Sequence, residues 1–181
     1  MLIQVDKLKR RPRRIDIDAP AEDFKVLQEL IDQDVVTFTS AIRGHLVATW
    51  AGDIIEVSGH LSTHVSLPCG RCLRPVSRSL DCEILLCYSD SERQDRLPSE
   101  DDVELQEDEL GIIGYSGTEI DLRPDIEQEI VMALPRKLLC DEGCQGLCPQ
   151  CGTNRNEGSC DCEPPVFHAG LAALKEFKLN R

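Results

Sequence analysis

The sequence predicts an α+β fold: an antiparallel β-sheet with flanking helices and a C-terminal cysteine-rich module. Three observations carry that expectation. Between residues 42 and 88, apolar residues recur with a period of two along three successive runs. On either side of these runs, shorter segments repeat their apolar residues at helical spacing. Six cysteines, interleaved with glycines and a proline, then crowd into residues 140–162.

The elements follow in order. Leu2, Ile3, Val5 and Leu8 open the chain, and Ile15 and Ile17 alternate with acids. Between them stand Lys7, Lys9, Arg10, Arg11, Arg13 and Arg14, six cations in eight residues. Such a run reads either as a solvated loop or as a phosphate-contacting arm. Pro20 opens a short helix with Phe24, Leu27, Leu30 and Ile31 on its buried side. The first strand places Ile42, Gly44, Leu46, Ala48 and Trp50 on one face, and Ala51-Gly52-Asp53 turns the chain. The second alternates Ile55, Val57, Gly59, Leu61, Thr63, Val65 and Leu67 with Glu56, Ser58, His60, Ser62, His64 and Ser66, the pattern of a half-buried antiparallel strand. The third starts at Pro75 and faces Val76, Leu80, Cys82, Ile84, Leu86 and Tyr88 inward. Cys82 and Cys87 point to opposite faces and read as structural thiols.

Residues 89–110 are acidic and poor in apolar side chains, which predicts a mobile loop, either a tether or a docking site for a basic partner. One further strand is expected over 111–120. Asp121 can cap the helix that follows, with Pro124 in its first turn and Leu122, Ile126, Ile130, Val131 and Leu134 buried. Glu127 and Glu129 read as a solvated flank. After Pro164-Pro165, Phe167, Leu171, Leu174 and Phe177 mark a last helix with a basic end at Lys175, Lys178 and Arg181. The expected division is residues 1–135 and residues 136–181, the second packed on the first.

Composition narrows the function. With 20 Lys+Arg against 33 Asp+Glu the net charge is −13, so nucleic acid is repelled except where cations are gathered. No apolar run approaches a membrane span. The N-terminus lacks the basic start and apolar stretch of a signal peptide, so a cytoplasmic protein is expected, with thiols reduced and metal favoured over disulfides.

Eight cysteines form four short pairs: Cys69/Cys72, Cys140/Cys144, Cys148/Cys151 and Cys160/Cys162. Two tetrahedral Zn²⁺ sites need eight thiolates, which makes this a zinc-binding module. Cys148/Cys151 with Cys160/Cys162 closes a short loop, leaving Cys69/Cys72 with Cys140/Cys144. Cys69/Cys72 with Cys148/Cys151 is the rival pairing, because two C-x2-C pairs make the commoner ribbon; a single site with leftover thiols is a third. Disulfide exchange is disfavoured, since Cys69/Cys72 lies between two strands and not at a helix N-terminus. Hydrolytic zinc chemistry needs an open position, usually lined by histidine. His45, His60, His64 and His168 are not at metal spacing; His60 and His64 lie about 13 Å apart on an extended strand.

The stretches Leu67-Pro68-Cys69-Gly70-Arg71-Cys72-Leu73-Arg74-Pro75, Ile120 to Pro135 and Leu139 to Gly152, with Asn154, Asn156, Glu157, Gly158 and Cys160/Cys162, together resemble the YceD family of large ribosomal RNA subunit accumulation proteins. Arg155 departs from the leucine usual there. The resemblance implies a non-enzymatic factor for 23S ribosomal RNA accumulation and large-subunit assembly, with ribosomal RNA or a basic ribosomal protein as partner and no small-molecule substrate. RNA would meet a basic surface from the run at residues 7–14, helped by Arg71, Arg74, Arg136, Lys137 and Arg155. Other readings are a zinc-ribbon nucleic-acid-binding regulator, a thiol oxidoreductase, and an acidic protein-only adaptor or chaperone for a basic ribosomal protein.

Overall fold

A computed structural model of the chain describes residues 1–91 and 111–162. Most of the expected acidic loop and the whole expected last helix, with its basic end and His168, lie outside the described residues.

The chain opens with β1 (Leu2–Gln4), a single turn α1 (Val5–Leu8) and β2 (Arg13–Ala19). A 3-10 turn leads into α2 (Lys25–Asp32), followed by β3 (Thr37–Phe38), β4 (Ile42–Ala51), β5 (Ile54–Pro68) and β6 (Pro75–Asp90). Beyond residue 110 come β7 (Ile112–Tyr115), β8 (Glu119–Asp121) and α3 (Arg123–Ala133). The main sheet has the order β2-β4-β5-β6-β7, with β3 also beside β5, and β1 pairs with β8 in a second, two-stranded sheet.

The three long strands stand where the period of two puts them, and their inward rows are buried. Ile42, Leu46, Ala48, Ile55, Val57, Leu61, Val65, Ile84 and Tyr88 are all closed to solvent. Phe24 and Leu27 fill the core from the α2 side, while Leu30 and Ile31 are half-buried. Leu122, Ile126 and Ile130 do so from α3, whose Val131 and Leu134 are only half-buried. Pro124 sits in the first turn of α3, and Asp121 accepts a hydrogen bond from the Arg123 N–H at 3.2 Å.

Several expectations are corrected. The basic run is not all loop: Lys7 lies in α1 and Arg13 and Arg14 open β2, with residues 9–12 between them, and Ile15 and Ile17 alternate with acids so that Ile17 buries against the sheet. β2 pairs antiparallel with β4, from Arg13 opposite Ala48 to Ala19 opposite Ile42. Residues 111–120 form two strands in different sheets, and β7 joins β6 in parallel, so the main sheet is mixed. Gly117, with φ +86, stands in the bend between them. Ser89 and Asp90 close β6 instead of starting the loop. Glu127 is buried, not solvated: its Oε2 accepts the Val26 N–H at 3.3 Å, placing a carboxylate at the positive end of α2.

Tyr88 shows how a polar atom is accommodated in this core. Its ring is buried and its hydroxyl donates to Asp125 Oδ2 at 2.6 Å. Burial, with the Asp125 carboxylate beside it, holds the phenol proton well above its ordinary range. Tyr88→Phe leaves Asp125 without this donor. We expect a loss of about 1–2 kcal/mol in urea unfolding at neutral pH; no change would show that the bond contributes nothing net.

The chain divides into two compact units, Met1–Leu67 with Ser77–Arg136, and Pro68–Val76 with Lys137–Arg181. The tip between β5 and β6 therefore belongs to the cysteine-rich unit, although it lies far from that unit in sequence.

Candidate metal centre

In the cysteine-rich unit the eight sulfurs gather into two groups. Cys69, Cys72, Cys140 and Cys144 form one, and Cys148, Cys151, Cys160 and Cys162 the other, with the ligand atoms of each group all within 4.8 Å of one another. This is the pairing that loop closure favours. The ribbon alternative, with both C-x2-C pairs on one ion, is not what the structure brings together.

Each group is built on one tight knuckle. In the first, Leu73 N–H donates to the Cys69 carbonyl at 3.0 Å; in the second, Gly152 N–H donates to the Cys148 carbonyl at 2.9 Å. The residue after the second cysteine takes a left-handed conformation in both, Gly152 at φ +75 and Leu73 at φ +60. Glycine does this freely, whereas leucine carries strain. Leu73 is also 62% exposed, so little packing offsets that strain. Leu73→Gly is expected to be neutral or to stabilise the unit by up to about 1 kcal/mol, read as metal retention against a competing chelator. A clear loss would mean that the leucine side chain holds the knuckle.

The backbone ties the segments into one unit. Gly70 N–H donates to the Leu138 carbonyl at 2.8 Å, and Leu147 N–H to the Arg71 carbonyl at 3.0 Å. At the second contact Gly146 has φ +73, and a Cβ there would lie 3.0 Å from the Arg71 carbonyl oxygen. Gly146→Ala is expected to push the two segments apart and lower metal retention by about tenfold, the equivalent of ~1.4 kcal/mol; unchanged retention would argue against this close approach.

The donor set fits a tetrahedral thiolate ion. A Zn–S bond of about 2.3 Å places tetrahedral sulfurs about 3.8 Å apart. Cys69 Sγ lies 3.8 Å from Cys144 Sγ, and Cys72 Sγ lies 3.5 Å from Cys140 Sγ. All ten cysteines are free thiols, so no disulfide competes. N–H groups point at the sulfurs: Arg71 and Cys140 N–H reach Cys69 Sγ at 3.5 and 3.4 Å, and the Asn156 amide reaches Cys144 Sγ at 3.4 Å.

These donors separate the thiols electrostatically. Backbone N–H groups of Cys72 and Arg71 bring Cys69 down to about 6. Those of Cys151 and Gln150 bring Cys148 down to about 5. Burial pushes Cys140 up to about 12, and the neighbouring Cys151 sulfur pushes Cys162 up to about 12. Each group thus pairs a thiol whose charged form is favoured by N–H donors with one whose proton is held by burial or by a neighbouring sulfur, and a cation at the centre would favour the charged form of all four. An ion held by all four sulfurs of a group would have no open position, which is the arrangement of structural sites.

The arginines expected at an RNA surface sit against this sulfur array. Arg71 Nη1 donates to the carbonyls of Cys144 at 2.8 Å and Glu142 at 3.4 Å. Arg74 bonds Cys140, and Arg155 Nη2 approaches Cys148 Sγ at 3.7 Å; both guanidinium protons are held more firmly as a result. Arg136 and Lys137 are exposed. Lys7, Lys9, Arg10, Arg11, Arg13 and Arg14 lie in the other unit.

Residue-type reasoning assigned Asn156 no role. Its Oδ1 accepts the Gln145 N–H at 2.8 Å while its amide serves Cys144. Nothing in its spacing signals that; it emerges only once the loop is folded.

No helix among the described residues is long and apolar enough to cross a membrane. No solved structure matches the chain. Uncharacterized proteins of Mycobacterium tuberculosis and Mycobacterium bovis are 34% identical over 104 residues, covering 54% of this chain and 44% of theirs. The chain thus matches less than half the length of these relatives. The chloroplastic large ribosomal RNA subunit accumulation protein YCED homolog 1 of Arabidopsis thaliana is 30% identical over 60 residues, 33% of this chain and 19% of that protein. The family model for the large ribosomal RNA subunit accumulation protein YceD matches residues 57–178, which takes in both knuckles and all eight clustered cysteines. By that match, the chain belongs to the YceD family.

Proposed function

We propose that the protein is a non-enzymatic cytoplasmic factor that supports accumulation of 23S ribosomal RNA and assembly of the large ribosomal subunit. It works by binding, with two Zn²⁺ ions as structural staples. The observation that carries this reading is the pair of closed four-cysteine groups inside the segment matched by the family. Closed thiolate sites offer no place for a substrate, and zinc held there supplies folding energy. What the unit presents is therefore a surface.

Ribosomal RNA is the partner favoured over a basic ribosomal protein, because the six clustered cations at residues 7–14 run against the charge of the whole chain. Deleting the gene is expected to lower 23S relative to 16S ribosomal RNA, and ultraviolet crosslinking in cells should recover 23S precursor fragments on the protein. A normal ratio together with no recovered RNA would overturn the reading. Recovery of a ribosomal protein with no RNA would favour the adaptor alternative.

A further inference from the structure

The basic run folds into a concave surface. α1 and β2 bend it around a cleft of about 460 Å³ lined by Lys7, Arg11, Pro12, Arg13 and Arg14. No carboxylate lines it. Arg14 Nε is held by Asp16 Oδ1 at 2.9 Å. Lys9 stands outside the lining, bonded to Asp6 at 3.5 Å and 5.1 Å from the centroid of the Trp50 ring. Among the described residues, the side chains of Lys7, Arg11 and Arg13 have no hydrogen-bond or ion-pair partner.

Four like charges around one small space repel one another and add nothing to folding. An entering anion reverses the sign of that energy. The side chains are exposed, so a single small anion would be weakly held in high dielectric. A polymer of phosphates gains from each contact in turn through counterion release. The guanidinium fork of arginine matches phosphate oxygens better than a point charge does. β2 is the edge of its sheet, so no further strand of that sheet covers this side. Over the remainder of an acidic molecule a polyanion is turned away, which concentrates its approach on this cleft. The run also lies outside residues 57–178, so it is a feature of this chain beyond the family match.

We infer that the cleft formed by Lys7, Arg11, Arg13 and Arg14 grips the phosphate backbone of RNA without reading its sequence. The inference rests on the ribosomal RNA reading and deepens it by naming the surface and the chemistry.

The test uses the full chain, zinc-loaded, and a fluorescein-labelled oligouridine as probe, with anisotropy read from about 50 to about 200 mM salt. K7Q/R11Q/R13Q should bind at least about tenfold more weakly at the lowest salt and show a log–log salt slope shallower by about 2, since each single-strand phosphate contact contributes about 0.7. K25Q/R43Q/R78Q changes the net charge equally outside the cleft and should stay within about twofold of wild type. K7R/R11K/R13K keeps the charge and should retain the salt slope and most of the charge-driven binding, separating charge from folding. Equal losses in the cleft and control variants would overturn the inference, as would a wild type that binds oligoglutamate but not RNA. Co-sedimentation of wild type with large-subunit precursors tests the parent reading separately. If wild type co-sediments while the cleft triple binds RNA normally, only the cleft assignment fails. If wild type does not co-sediment, the ribosomal reading fails.

Discussion

If metal is the staple proposed above, stripping it from the folded protein with a chelator is expected to unfold the cysteine-rich unit and leave the large sheet standing. The reason lies in what that unit buries. Its cluster of closed residues is Cys69, Cys72 and Cys144, with Val76, Leu139, Cys140 and Leu147 partly buried against it. Among the described residues, that core is thus made largely of the ligands. Without a cation these thiols have little apolar surface to hold them together, and their thiolates repel. A structural Zn²⁺ contributes about 10–16 kcal/mol of apparent binding free energy near neutral pH, comparable to the whole stability of a typical domain. Hydrogen exchange should show loss of protection after metal removal at Gly70 and Leu147, whose partners are carbonyls from distant parts of the same unit, and at Cys148, whose partner is the Thr153 carbonyl of its own cysteine loop. Amides along the paired stretches of β2, β4 and β5 should keep theirs. Persistent protection at Leu147 and Cys148 after verified metal loss would sink the idea that metal is the staple.

The second large effect is expected in the sheet, from a single methyl group. Gly44 and Gly59 flank the point where His45 stands opposite His60. A Cβ on Gly59 would lie 2.2 Å from the His45 carbonyl oxygen, and one on Gly44 would lie 2.0 Å from the His60 carbonyl oxygen. Both obstructing atoms are backbone, so no side-chain rotation relieves the clash. Gly59→Ala should therefore cost about 3 kcal/mol, at the upper end for overpacking, through forced separation of β4 and β5. Gly44→Ala should cost a similar amount. Urea unfolding measures both, with an unchanged slope if only stability shifts. A change below about 0.5 kcal/mol, the size typical of surface substitutions, would contradict the close approach.

Those glycines mark the limit of what period alone can tell. Alternation places Gly44 and Gly59 on the inward face, where they are found, yet it gives no sign that two strands come too close there for any side chain. The long strands were legible because one face of each is apolar and the other polar. Two short strands were not: β1 and β8 have three residues each, too few for a repeat to show. β2 was masked by the arginines at its start, whose charge suggested solvent while Ile15 and Ile17 already followed the strand rhythm. Glu127 misled because a carboxylate on a helix flank is normally solvated; only the approach of α2, far away in sequence, supplies its N–H partner.

At the metal centre the ligand types and their short spacings were readable, since thiol chemistry and loop closure both act locally. The choice between the two pairings depended on where the β5–β6 tip lies, which is a matter of the folded chain. The strain at Leu73 was also hidden. Its place in the knuckle matches that of Gly152, but only the backbone angles show that the two residues share a conformation.

The most direct measurement is native mass spectrometry of the purified full chain beside its C72S and C151S variants. Two bound Zn²⁺ are expected on the wild type, and one on each variant, with the untouched four-cysteine group still loaded. A wild type with no metal and with Cys69, Cys72, Cys148 and Cys151 freely alkylated, or one variant that empties both centres while still folded, would contradict two independent zinc staples.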